Sequence, residues 1–190
     1  MDIFFWIIAG LWVMFMAFLY IPALLAGAPA ERRSSKYFQQ SVVILFFVVI
    51  AVTILNGYDP DLFLIRVVPD TVVTGITGVL LTVIGLGFAG WARVHLGRFW
   101  SGEVMIKIGH QLIRTGPYRF VRNPMYTGIL VAFVGAAIAI GELFAFVAVG
   151  IGMMGIWMKI KAEEEILLEK FGGEYLKYQH DVRRIIPFIL

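Results

Sequence analysis

Two stretches of this chain, residues 3–21 and 71–92, contain no Asp, Glu, Lys or Arg. Nothing else in the sequence limits the fold as strongly. A bilayer offers the backbone no hydrogen-bond partners, so a chain crosses it as a helix or as a closed barrel. An apolar run of about 20 residues is long enough to cross as a helix. Three further uncharged runs, residues 41–57, 125–140 and 143–158, are shorter. The last two are joined only by Gly141-Glu142, which predicts a tight helical hairpin. The expectation is an all-α integral membrane protein with about five transmembrane helices. Composition agrees: 60% of residues are hydrophobic and 15% charged, against about 25% charged in soluble domains. Without cysteine, disulfides, thiolate nucleophiles and Cys-based metal sites are excluded.

Charge sets the orientation. All Lys and Arg residues but Arg66 fall in segments 22–40, 93–124 and 159–184. Arg66 lies in the opposite loop with Asp59, Asp61 and Asp70. Cytoplasmic loops carry the basic excess, so the N-terminus is expected outside and the C-terminus inside. Five spans require the same arrangement. The run "LLAGAPA" resembles a signal-peptide cleavage site, but Asp2 is the only charge ahead of a long apolar run. The first span is therefore read as a retained helix.

Small residues recur along the third, fourth and fifth spans. They include Gly75, Gly78 and Gly85, then Gly128 and Gly135, then Gly150, Gly152 and Gly155. Small residues let helix backbones approach in lipid, so these spans are expected to form a compact bundle. "GLGFAG", residues 85–90, fits a dinucleotide-binding pattern on paper. It lies inside an apolar span rather than after a strand, so helix packing explains it. Beyond residue 158, Lys159/Glu163 and Lys161/Glu165 are spaced i,i+4, which supports a helix. The fifth helix is expected to continue into the cytoplasm, break at Gly172-Gly173, and be followed by a short helix to about Asp181.

Polar residues gather in two cytoplasmic stretches, 92–126 and the tail. Together they are expected to cap the bundle, with the 93–124 loop on one side and the C-terminal helices on the other. In "GPYRFVRNPMY", residues 116–126, Gly-Pro makes a turn. Pro124 suits the first helical position, and Asn123 would be the N-cap. The capping explanation does not cover Tyr118, Arg119, Arg122 and Tyr126, which cluster at the same place. A helix start receives anions, and arginine clamps carboxylates with paired hydrogen bonds. Interfacial anchoring of Arg and Tyr is the competing explanation. In Glu163–Glu165, successive carboxylates point about 100° apart, so one or two can face inward while the rest are solvated. His95, His110 and His180 are scattered, which gives no metal site.

At these residues the chain resembles the isoprenylcysteine carboxyl methyltransferases and the related phospholipid N-methyltransferases. The family pattern H-x-L-x-x-x-G-x-Y-x-x-x-R-H-P-x-Y stands here as "HQLIRTGPYRFVRNPMY", residues 110–126. The second family block stands here as "EEEILLEKFGGEYLKYQHDVRRIIPF", residues 163–188. The blocks keep the family's order, with the helical hairpin between them, and the match covers roughly residues 90–190. The chain departs from the pattern at Asn123, where the family commonly has a titratable His.

The resemblance implies an S-adenosylmethionine-dependent methyltransferase whose cofactor lies between the blocks under a cytoplasmic cap. The first side would be His110, Leu112, Gly116, Tyr118, Arg122, Asn123, Pro124 and Tyr126. The second would be Glu163 and Glu164. Carboxylates would take the cofactor's amino group or ribose hydroxyls, and Arg122 its carboxylate. Arg93, Arg183, Arg184 and Trp100 would position the head of a lipidic or prenylated acceptor entering from the bilayer. Residues 1–70 would then be two peripheral helices, and residues 71–190 the catalytic core of one membrane domain. No metal or nucleic acid is implied, and the multi-pass protein would face the cytoplasm from the inner membrane. Two other readings stand: an NADPH-dependent sterol-type reductase of the same architecture, and a non-catalytic lipid- or partner-binding membrane protein.

Overall fold

The computed structural model describes residues 3–25, 65–97 and 112–186. Every regular element among them is helical: α1 (Ile3–Leu25), α2 (Val72–Leu96), α3 (Pro124–Ile140), α4 (Leu143–Phe171) and α5 (Gly173–Asp181). A 3-10 turn, Gly116–Arg119, precedes α3. α1, α2 and α4 are each long and apolar enough to cross a membrane. This is the architecture of an integral membrane protein. The span expected over 41–57 lies outside the described residues. α3 has 17 residues, about 25 Å at 1.5 Å per residue, slightly short of a hydrocarbon core of roughly 30 Å. α4 has 29 residues and so outruns the bilayer, continuing through the glutamates as the charge spacing predicts. It ends at Gly172, whose φ of +51° suits glycine.

The bundle is built on backbone contact between α2 and α3. Thr71 starts α2 with a reciprocal capping box to Thr74. The two helices then run antiparallel, with Gly78 and Thr82 facing Gly135, and Gly85 and Ala89 facing Gly128. A Cβ added at Gly135 would stand 2.6 Å from the Thr82 nitrogen and 2.7 Å from the Gly78 carbonyl oxygen. The glycines are therefore required by the approach itself. Buried Thr82 donates to the Gly78 carbonyl at 2.8 Å, so its hydroxyl is satisfied within its own helix. Gly135→Val must push the two backbones apart, a strain of about 1–3 kcal/mol or more. The thermal midpoint in detergent should fall by several degrees. Gly87→Ala, which meets nothing within 4 Å, should leave it unchanged.

α1 lies along this pair. Phe15 and Leu19 pack into a buried cluster with Leu86, Ala89 and Ala132, and Trp12 stacks on Phe133 with ring centroids 4.8 Å apart. Phe4 sits at Gly75 near the other end, so α1 and α2 run in the same direction, as the first and third of alternating spans would. The outward face of α1, with Ile3, Trp6, Val13 and Met14, is exposed and suits lipid. At the α3–α4 hairpin, Gly141 adopts a left-handed conformation. Its carbonyl accepts from Val67 and Val68, and Leu143 donates to the Ile65 carbonyl. Residues 65–68 thereby close the hairpin end of the bundle.

Candidate active site

The opposite end is closed by residues 114–127 and 174–185, which are stitched together. Gly116 has a φ of +59°, and a Cβ there would meet the His95 ring at 2.7 Å. Glycine thus lets the chain turn beneath the end of α2. His95 Nε2 lies 2.8 Å from Thr115 Oγ1, and its ring stacks near Tyr118. Tyr118 is buried in the 3-10 turn, and its carbonyl accepts a hydrogen bond from the Tyr178 hydroxyl of α5. Burial holds the Tyr118, Tyr175 and Tyr178 hydroxyls above their ordinary range, so all three stay protonated. Arg114 pairs with Glu174 at 3.2 Å and lies over the Tyr178 ring. The backbone amides of Arg122 and Asn123 donate to the carbonyls of Arg183 and Arg184 at 2.8 and 3.1 Å.

Glu164 is the knot of this seam. Its carboxylate is 5% exposed and meets Arg122 Nε at 3.0 Å and Arg184 Nη2 at 2.7 Å. Asn123 Nδ2 donates to the same carboxylate at 3.1 Å and to the Arg184 carbonyl at 3.2 Å. Arg122 Nη1 also donates to the carbonyls of Gln179 and Val182. It thereby satisfies the open C-terminal end of α5, where a cation is favourable. One expectation changes here. Asn123 occupies the N-cap position of α3 but makes no side-chain cap bond, because its amide is turned to Glu164. Arg122 and Glu164, both expected among the cofactor-binding residues, are paired with each other.

The neighbouring carboxylate faces elsewhere. Glu163 accepts a 2.6 Å hydrogen bond from the Tyr126 hydroxyl. The Lys159 ammonium, one turn earlier on α4, also acts on this carboxylate. Lys159 lies over the Tyr126 ring, 5.7 Å from its centroid. Tyr118 is within electrostatic reach of both Glu163 and Arg93, and Arg93 donates to the Gly97 carbonyl at the end of α2. Glu163, Tyr126, Tyr118 and Arg93 therefore gather between the start of α3, the end of α2 and α4. Glu165 is exposed. The triplet thus divides into a half-buried carboxylate, a buried brace and a solvated charge.

The other predicted residues separate clearly. Pro124 is buried at the first position of α3, and Leu112 and Gly116 are half-buried beside the turn. Arg183 is exposed and contributes its backbone to the seam, whereas Arg184 joins the brace. His110 and Trp100 lie outside the described residues. His95, Arg114 and Tyr178 have roles that sequence spacing did not reveal, since the Arg114 and Tyr178 contacts bridge about sixty residues. Only the Gly116-Pro117 turn signalled that something packs closely there.

Comparison with known proteins finds similarity to methyltransferases. The chain is 31% identical over 122 residues to methanethiol S-methyltransferase 1 of Bradyrhizobium diazoefficiens, covering 57% of this chain and 42% of that protein. It is 32% identical over 115 residues to a probable protein-S-isoprenylcysteine O-methyltransferase of Oryza sativa subsp. indica, covering 59% and 60%. The chain therefore spans about half the length of these relatives. In fold it is similar to the eukaryotic intramembrane Ras methyltransferase, an isoprenylcysteine carboxyl methyltransferase solved without a monobody. The TM-score is 0.56 at 24% identity, over 84% of this chain and 55% of that one. The family model described as phospholipid methyltransferase matches residues 73–174, from the first turn of α2 through the first block and the glutamates of the second to the start of α5, and the chain belongs to that family.

Proposed function

We propose that this protein is a membrane-embedded methyltransferase that uses S-adenosylmethionine and acts on an amphiphilic acceptor reaching it from the bilayer. The observation that carries the reading is the Glu163 carboxylate, held by Tyr126 and the Lys159 charge beside Tyr118 at the start of α3. The donor set fits the cofactor. A carboxylate with spare acceptor capacity suits an ammonium group or ribose hydroxyls, and electron-rich rings suit a sulfonium and an adenine. When bound, the cofactor supplies an electrophilic methyl group. Glu163 would orient its polar end, while Tyr118, Tyr126 and His95 provide the aromatic surface. The Glu164 brace would hold the start of α3 and the tail in register, and the cap would exclude water. Arg93 and Arg183 would meet the acceptor's head. This site would face the cytoplasm from the inner membrane, with residues 71–190 forming the catalytic core.

Asn123 bears on the acceptor. It cannot accept a proton near neutrality, and its amide is held by Glu164 and the Arg184 carbonyl. An acceptor that arrives already ionised, a carboxylate or a thiolate, needs no base, whereas an ammonium must first be deprotonated. We therefore favour an anionic nucleophile on an apolar carrier. The names of the relatives, a thiol methyltransferase and isoprenylcysteine methyltransferases, support the same two chemistries.

The test is calorimetry of the purified full chain with S-adenosylhomocysteine and, separately, NADPH. Binding of S-adenosylhomocysteine alone is expected. Binding of NADPH alone would instead establish the reductase reading. Binding of neither would favour a non-catalytic protein. Transfer of a radiolabelled methyl group to extracted lipids would then identify the acceptor class.

A further inference from the structure

Arg122, Arg184 and Lys161 bring three positive charges to the 157–164 stretch of α4, and Glu164 neutralises one of them. Lys161 has the i,i+4 spacing to pair with exposed Glu165, but its ammonium lies over the Trp157 ring instead, 5.8 Å from the centroid. Arg184 lies over the same ring at 4.8 Å. Arg184 directs Nε and Nη2 to Glu164, and Nη1 has no acceptor among the described residues. The Lys161 ammonium has none either. Two cations with open donors thus contact one indole. Trp157 is half-buried, against a cluster of Tyr126, Ile160 and Ile185 with Leu130 and Ile156. It stands at the last turn of the apolar part of α4, where tryptophan marks the membrane–water boundary. The patch therefore has cations at headgroup depth and hydrocarbon below.

We infer that Lys161, Arg184 and Trp157 form a binding site for the phosphate of an anionic membrane phospholipid, at the junction of α4 and the C-terminal segment. Phosphate supplies acceptors for the open Lys161 and Arg184 donors, and such bonds are charge-assisted. The acyl chains lie against Trp157, Leu130 and Ile156. Through Arg184 the lipid would steady the Glu164 brace, so its presence should be read as stability of the cap. Methyl transfer is not required for this site.

The test uses the purified full chain in a neutral detergent, supplemented with phosphatidylglycerol, phosphatidylcholine or sn-glycerol 3-phosphate. Phosphatidylglycerol should raise the thermal midpoint by roughly 2–4 °C, the shift that about 1 kcal/mol produces in a chain this size. The zwitterionic lipid and the soluble phosphate should not. Lys161→Gln should lose at least half of the rise, and Lys177→Gln, an exposed lysine on α5, should keep it. Arg184→Gln should also lose it, but that change disturbs Glu164, so Lys161→Gln carries the decision. The inference is overturned if phosphatidylcholine matches phosphatidylglycerol or if glycerol phosphate gives the same rise. It is equally overturned if Lys161→Gln retains the full shift, or if Lys177→Gln loses as much as Lys161→Gln.

Discussion

Replacement of Glu164 by alanine should loosen the whole cap. The carboxylate is buried between two guanidiniums and an amide, and removing it leaves Arg122 uncompensated at 8% exposure. Breaking a buried pair in this way costs about 3–5 kcal/mol, largely because the remaining charge stays desolvated. That is a large share of a typical stability of 5–15 kcal/mol. Arg122 also closes the end of α5, so the loss should spread into the tail. The expected result is a thermal midpoint lower by ten degrees or so, with proteolysis first appearing after residue 172. Glu164→Gln keeps the volume and part of the hydrogen bonding and should fall less. An unchanged midpoint in the alanine variant would show that the brace does not hold the cap. Alanine at 164 therefore reports stability, and loss of cofactor binding in that variant would not identify a ligand contact.

Glu163→Gln should have the opposite signature. Glu163 is only half-buried; beside the Lys159 charge it takes a hydrogen bond from the Tyr126 hydroxyl, which a glutamine carbonyl can still accept. Folding should be nearly unaffected. Losing the carboxylate's charge, however, removes a charge-assisted contact of about 1.5–3 kcal/mol to a cationic ligand group, or roughly a 10- to 100-fold loss of affinity. Tyr126→Phe, which frees the carboxylate from its orienting hydroxyl, should weaken binding less, because the charge remains. Equal losses of midpoint in Glu163→Gln and Glu164→Ala would mean that both glutamates are structural.

Much of this arrangement could be read from the sequence because it follows from local periodicity. Uncharged runs predict α1, α2 and the hairpin, and the glycines at 78, 85, 128 and 135 predict close helix approach. The i,i+4 charges predict that α4 continues to Phe171. The pairing of residues 110–126 with 163–188 came from family resemblance, and the seam between Arg122–Asn123 and Arg183–Arg184 bears it out. What the sequence could not provide was the rotation of α4 about its axis. Glu163 and Glu164 are adjacent, and only the packing of buried Ile160 and Ala162 decides which carboxylate meets Arg122. For the same reason Asn123 looked like a helix cap. Its partner, Glu164, is 41 residues away, and donating Nδ2 to that buried carboxylate sets the orientation of the side-chain amide. Lys161 likewise leaves its helical neighbour Glu165 for an aromatic ring, a choice set by tertiary packing that helical spacing does not encode.

The central claim is that this fold holds a sulfonium cofactor through Glu163, on the face of α4 about 100° round from the Glu164 brace. Titration of S-adenosylhomocysteine into the wild-type chain and the Glu163→Gln variant, both checked for the same thermal midpoint, tests it most directly. The account predicts saturable binding by the wild type and at least a tenfold weaker affinity in the variant. Equal affinities in two equally stable proteins would contradict it.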